Sequence, residues 1–297
     1  MLNAQQTVVD ITTSALIVEL NISKWTARKL DKGVSSEVVA SKRAGSRDAG
    51  RFNKHLLAGR HELDDIAKLE TAARAYLYKH TEAWGNNGQQ ILPGAKFMEF
   101  KQYMDDLQYE YENLVSSFIT IYPTLITAQA MALGDMFNRN DFPLASELPS
   151  KFKFTVDYLP VPSVGDWRVQ MEQDAQKELR AAYEEAHSAR MEAVTRNLWN
   201  RLGEHLTRMV DRLEVDVEVG TPDGKPRKFH DTLVTSAIEL CGLLKDLNIT
   251  KDVDLEFARY RLEVALGNTQ AETLRTDMQR RKELKEAVAT ILQTIKK

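Results

Sequence analysis

Cysteine is nearly absent from this chain: Cys241 is the only one in 297 residues. No intrachain disulfide can form, so the fold is held by packing, and a reducing compartment is the natural setting. The thiol lies among Leu240, Leu243 and Leu244, a sequence context that suits a small buried hydrophobe better than a nucleophile. Histidine is also sparse. His55, His61, His80, His187, His205 and His230 include no pair at the i, i+4 spacing of a helical zinc site, which argues against a transition-metal centre.

A large net charge of either sign is missing too. Forty Lys and Arg stand against 43 Asp and Glu, a net of −3, which excludes a polycation that coats nucleic acid along its whole length. The first residues, Met-Leu-Asn-Ala-Gln-Gln-Thr, lack the basic and apolar regions of a signal peptide, so the expected location is cytoplasmic. One stretch from Asn113 to Gly134 is free of charge and approaches the length of a membrane span. Pro123 interrupts it, and Ser116, Ser117, Thr120, Thr124, Thr127 and Gln129 make it polar. A buried pair of helices meeting at Tyr122-Pro123 is the expected arrangement.

Motifs of catalysis are lacking as well. Gly220 to Lys225 has the wrong glycine spacing for a phosphate loop, and Pro226 stands where Ser or Thr is needed. Gly45-Ser-Arg-Asp-Ala-Gly50 is not a nucleophile elbow. Adjacent carboxylates such as Asp64-Asp65, Asp105-Asp106 and Glu184-Glu185 point in different directions on a helix and form solvated faces. No catalytic residue, cofactor or metal site is assigned, and the chain is expected not to be an enzyme.

What is present is helix. Asp166 to Leu213 contains no proline and no cluster of turn residues, and at a rise of roughly 1.5 Å per residue it would make a rod of about 70 Å. Its stripe of Trp167, Met171, Ala175, Leu179, Tyr183, Ala186, Val194, Leu198, Leu202, Leu206, Met209 and Leu213 recurs mainly at fours. That spacing suits packing on another helix of the same chain better than a strict heptad seam. Amphipathic spacing also predicts helices over 62–84, over 96–122 with a continuation after Pro123, and three more in 231–297, the last opened by Thr269 and Glu272 as a capping box. Alternation predicts short strands near 15–23 and 151–159 and a hairpin near 214–230.

The expected fold is therefore mainly α, an elongated bundle of long antiparallel helices with a small β element. Along the chain this gives a basic N-terminal segment with a strand (1–61), a helical hairpin (62–140), and a strand with a Pro-rich connection (141–165). A long helix plus hairpin (166–230) and the C-terminal helices (231–297) follow. All are expected to form one continuous elongated domain.

Charge is unevenly spread. Residues 1–61 carry ten Lys or Arg against five Asp or Glu, a net of +5 that leaves −8 for the rest. Lys42, Arg43, Arg47, Arg51, Lys54 and Arg60 fall close together with only Asp48 opposing them, among Gly45, Gly50 and Gly59. With Trp25, Arg28 and Lys29, these residues could bind the phosphates and stack on the bases of a single strand. The other reading pairs the segment with acidic helix faces of this chain or of a protein partner.

Several stretches resemble a family known as a domain of unknown function in bacteriophage and bacterial genomes. They are Leu16-Ile-Val-Glu-Leu-Asn-Ile-Ser-Lys-Trp25 with Ala27-Arg-Lys29, the Pro93-Gly94 turn before a long helix, Phe152-Lys-Phe-Thr-Val156, and Lys228-Phe-His-Asp-Thr-Leu233. The basic, glycine-spaced segment Ser41 to Gly59 departs from that family's pattern. Members are sometimes encoded near a MoxR-type AAA ATPase and a von Willebrand A protein. The resemblance implies an adaptor or substrate in a remodelling system, set in a bacterial or phage-infected cytoplasm, and supplies no catalytic residues.

The first expectation is thus an interaction or assembly protein, homo-oligomeric or joined to a partner such as an AAA ATPase, which buries the surplus apolar surface of its long helices against another chain. A single-stranded nucleic-acid-binding protein using 42–60 is the alternative. A membrane-active helical protein is the least favoured.

Overall fold

The computed structural model describes residues 13–46, 48–85, 87–162, 173–214, 232–267 and 269–295. The chain is mainly helical, with a small antiparallel sheet. It divides into two compact units: one from the described parts of Met1–Glu19, His80–Met98 and Tyr158–Lys297, the other from Leu20–Lys79 and Glu99–Asp157.

β1 (Ala15–Ser23) is the alternating strand of the sequence. β2 (Arg28–Asp31), α1 (Lys32–Ser41), β3 (Phe52–His55) and α2 (Asp64–His80) follow it, then β4 (Glu82–Ala83) and β5 (Gln90–Pro93). The main sheet has the order β4-β5-β1-β6, where β6 is Lys153–Pro160. β1 and β5 run antiparallel in a register that sets Ala15 against Pro93 and Val18 against Gln90.

α3 (Phe97–Leu133) corrects the expected helix pair, because it runs through Pro123 without a break. Proline costs this helix one backbone hydrogen bond, the one that would reach the Ile119 carbonyl. Buried residues on both sides of it, Tyr111, Phe118, Tyr122, Leu125 and Ile126, hold the helix across the gap. The Tyr122 hydroxyl adds a hydrogen bond to the Pro143 carbonyl at 3.0 Å. Gly94–Met136, which contains α3, is long and apolar enough to cross a bilayer, the one such helix among the described residues. From the uncharged stretch, Tyr122, Leu125, Ile126, Gln129 and Leu133 are buried inside the protein.

The long rod is present as α4 (Gln173–Arg212), 40 residues without interruption, about 60 Å at the standard rise. Residues 166–172 at its expected start, and the hairpin expected near 214–230 apart from Glu214, lie outside the described residues. Among its described residues only the second half of the stripe is core. Val194, Leu198, Leu202, Leu206, Met209 and Leu213 are buried, whereas Ala175 and Ala186 are exposed and Leu179 and Tyr183 half-buried.

The remaining helices are α5 (Thr232–Leu247), α6 (Val253–Leu266), α7 (Ala271–Thr276) and α8 (Met278–Ile295). Four thus stand where three were expected. The last is cut at Asp277, whose backbone is extended and whose carboxylate caps α8 through the Arg280 amide at 2.9 Å. The expected Thr269 cap does not form. Gln270 holds the cap position of α7 without a side-chain bond, and the Thr269 hydroxyl accepts from Arg280 instead. α8 packs along α4, and α6 packs against both α5 and α8. Their facing residues Leu202, Leu206, Leu244, Leu255, Leu262, Leu284 and Val288 share one core.

Candidate interaction surfaces

The basic segment combines a two-stranded sheet and the short helix α1 with a non-helical stretch between α1 and β3. β2 and β3 pair antiparallel, Arg28 opposite His55 and Asp31 opposite Phe52, with α1 forming the first half of the connection. Asp31 starts α1 by accepting from the Val34 amide at 3.1 Å, an N-cap. The Ser35 hydroxyl donates to the Asp31 carbonyl and accepts from the Phe52 amide at 2.9 Å, tying α1 to β3.

Lys54 is not a surface cation, contrary to its place in the expected binding set. It is 6% exposed, and its ammonium meets Asp141 at 2.7 Å, Asp31 at 3.1 Å and the Met136 carbonyl at 2.8 Å. Burial opposes its charge, but the bonds to Asp141 and Asp31 outweigh burial and hold its pKa above the ordinary lysine value. The Val34 amide, and then Lys54, hold the Asp31 carboxyl below the usual range. A carboxyl depressed in this way contributes stability above its unfolded pKa, and that contribution is lost as pH falls through the folded value.

Trp25 is half-buried. Its indole stands edge-on to Tyr122 at 5.6 Å and tilted to Phe118 at 6.2 Å, aromatic packing in place of a platform for bases. Arg28, Lys29, Lys42, Arg43, Arg51 and Arg60 remain exposed, while Arg47 lies outside the described residues. Lys42 and Arg43 follow the end of α1, their amides bonded back to Val38 and Ala40, and Arg43 is in the left-handed region at φ 50°.

A second surface, absent from the expected set, is α6. Asp252 caps it through the amides of Asp254 and Leu255, at 2.9 and 3.0 Å. Gly267, at φ 48°, closes it with a bond to the Glu263 carbonyl. The inner face buries Leu255, Ala258, Leu262 and Leu266, together with Arg259. That guanidinium grips Glu256 through two bonds, at 2.7 and 2.9 Å, and Glu263 through one at 2.7 Å. The two glutamates raise its pKa further.

The outer face of α6 is apolar as well. Val253 is 78% exposed, Phe257 60%, Tyr260 56% and Val264 59%, and the Arg261 guanidinium lies 5.7 Å from the Phe257 ring centre. A helix with one apolar face is satisfied by one neighbour; a helix with two needs a second. The signal is in the sequence, since two apolar stripes spaced at threes and fours interleave between Val253 and Leu266.

Reactive groups are arranged less purposefully. Cys241 is buried, and that burial pushes its thiol up to about 11. His205, Arg208, Arg212, Thr232 and Ser236 line an open cleft of about 310 Å³, where burial and then Arg208 lower the His205 pKa. Among the described residues no three His, Cys, Asp or Glu side chains are grouped to hold a metal ion. Comparison with protein families, with characterised proteins and with solved structures finds no match.

Proposed function

We propose that this chain is a non-enzymatic interaction protein, a scaffold or an adaptor to a partner such as an AAA ATPase, working in the cytoplasm of a bacterium or of the bacterial host of a phage. The observation that carries the reading is the outer face of α6, where Val253, Phe257, Tyr260 and Val264 offer apolar surface on a well-capped helix. Such a face marks an interaction site, and a protein surface is the partner that this reading assigns to it. The finer architecture belongs to the same proposal: α4 and α8 as long antiparallel members of a bundle elongated along α4. The length of α4 and its packing on α8 support it. The phage setting and the ATPase rest on the family resemblance alone.

The test is a pull-down with tagged full-length chain from cells that express it naturally. Wild type is expected to retain a defined protein, either an ATPase or the untagged chain, and Phe257→Asp with Tyr260→Asp is expected to lose it. Retention of nothing by wild type, or equal retention by both, would reject the reading.

A specific observation favours a second reading, single-stranded nucleic-acid binding: Arg28, Lys29, Lys42, Arg43, Arg51 and Arg60 are all exposed on one unit. If they contact phosphates, affinity for a single-stranded oligonucleotide falls steeply with salt. Replacing Arg28, Arg43 and Arg51 with Ala then lowers the log–log salt slope by about 2. An unchanged slope, or no binding by wild type, disposes of it. Lys54→Ala is no substitute in this experiment, because it strands Asp31 and Asp141 and lowers the melting temperature instead.

A further inference from the structure

We propose that the outer face of α6 is covered by a second copy of this chain, the two α6 helices lying parallel about a two-fold axis. The inference rests on the interaction-protein reading and gives its surface one occupant. Val253, Phe257, Tyr260 and Val264 are separated by four, three and four residues, the alternating d and a positions of a two-stranded coil. They fill about three turns and are exposed among the described residues, so the stripe matches a copy of itself in length and character.

Charge decides the orientation. With those positions at the seam, Glu256 and Glu263 take the g positions on one side, and Asp254 and Arg261 the e positions on the other. In a parallel pair a g residue faces the e residue five places further along the second helix. Glu256 of each copy then meets Arg261 of the other, twice by symmetry. In an antiparallel pair g faces g and e faces e: Asp254 then meets Arg261, but Glu256 meets Glu263, carboxylate against carboxylate. This repulsion offsets the attraction, leaving the parallel pair favoured.

Both charges of the parallel pairing are within reach. Arg261 already sits at the edge of the seam over the Phe257 ring. The Glu256 side chain is 46% exposed although it holds Arg259, and a carboxylate has lone pairs to spare for a second guanidinium. At more than half exposure each, the four side chains offer about 400 Å² per copy, roughly half of what a standard interface supplies per partner. Self-association is therefore expected at about micromolar concentration rather than below it.

The cysteine content makes the test clean, because Cys241 is 3% exposed and its thiol is held far from ionisation. Full-length Val253→Cys and Val264→Cys, each at an exposed seam position, are made separately and oxidised. In a parallel pair each residue faces its own copy at a distance that a disulfide spans, so each variant alone is expected to give a covalent dimer. Sedimentation equilibrium of wild type is expected to show a monomer–dimer equilibrium, and Arg261→Glu to weaken it about tenfold.

Cross-linking only when the two cysteine variants are mixed means antiparallel helices and overturns the proposal. So does a wild-type chain that stays monomeric at about 100 μM, a concentration well above that expected for an interface of this size. If that monomer still retains an ATPase in the pull-down, the pairing falls and the interaction reading stands. If it retains nothing, both fall.

Discussion

Arg281→Ala is expected to raise amide hydrogen exchange in the second half of α4 and in α8 by more than about a hundredfold, a loss of about 3 kcal/mol. The last carbonyls of any α-helix have no partner within the helix. At the end of α4 they point into packed structure, since Leu213 is fully buried. Arg281 reaches across from α8 and donates Nε to the Leu213 carbonyl at 3.2 Å and Nη2 to the carbonyls of Arg212 and Glu214, both at 2.9 Å. Truncation leaves the buried Leu213 carbonyl without its donor and opens a cavity where a 9%-exposed side chain stood. Arg281→Lys keeps the charge but not the planar fork, so it should fall between wild type and alanine. Exchange in the alanine variant within threefold of wild type would mean that the guanidinium is dispensable. The expected size follows from burial: a surface arginine at a helix end contributes only a few tenths of a kcal/mol to about 1 kcal/mol.

The same contact explains what the sequence could and could not convey. The length of α4 was legible because propensity and the absence of Pro act locally. Which half of its stripe is core was not, because Leu179 and Leu198 look alike until the packing puts Leu198 in the core and leaves Leu179 half-buried. Arg281 reads as one more charge in a charged helix. Its role depends on the end of α4, 67–69 residues earlier in the chain. Proline misled in the opposite direction: the break expected at Pro123 carries a local cost that buried side chains on both sides, aromatic before it and aliphatic after it, outweigh.

The basic segment shows a similar division. Composition located the excess charge correctly but could not sort it. Lys54 and Arg51 are three residues apart, yet Lys54 is pinned between Asp31 and Asp141 while Arg51 faces solvent. Strand alternation could have hinted at the difference, since Phe52 and Lys54 share one face of β3 and Asn53 the other. The short strand was unreadable without its partner β2. α6 is the reverse case, with two interleaved apolar stripes plain in the sequence and a consequence that emerges only once α5 and α8 are found to use one of them. Surplus apolar surface was expected on the longest helices, and α3 does expose Met98, Tyr103, Tyr109, Ile121 and Met131; the outer stripe at regular seam spacing lies on a helix of only 14 residues.

Arg201→Ala is expected to cost about 3 kcal/mol at pH 8, and less at pH 5. Arg201, on α4, donates to Glu82 in β4 and to the Thr81 carbonyl at 3.3 Å. Glu82 is only 7% exposed at its side chain. Burial raises its pKa above 4.5, against the opposing pull of Arg201. Between 4.5 and that higher folded value the native state binds more protons than the unfolded chain, so stability falls as pH rises through the window. Removing Arg201 takes away the attraction and leaves burial alone. The folded pKa climbs further, the window extends upward, and the variant is penalised most where Glu82 is forced to ionise. Glu82→Gln in the Arg201→Ala background should therefore recover much of the loss and flatten its pH dependence, because a neutral amide needs no counter-charge. Urea unfolding followed by the fluorescence of Trp84 and Trp199, which lie in the same core region, reports both effects. A cost for Arg201→Ala that is equal at pH 5 and pH 8, unaltered by Glu82→Gln, would show that the arginine acts through Thr81 and packing and not through the buried carboxylate.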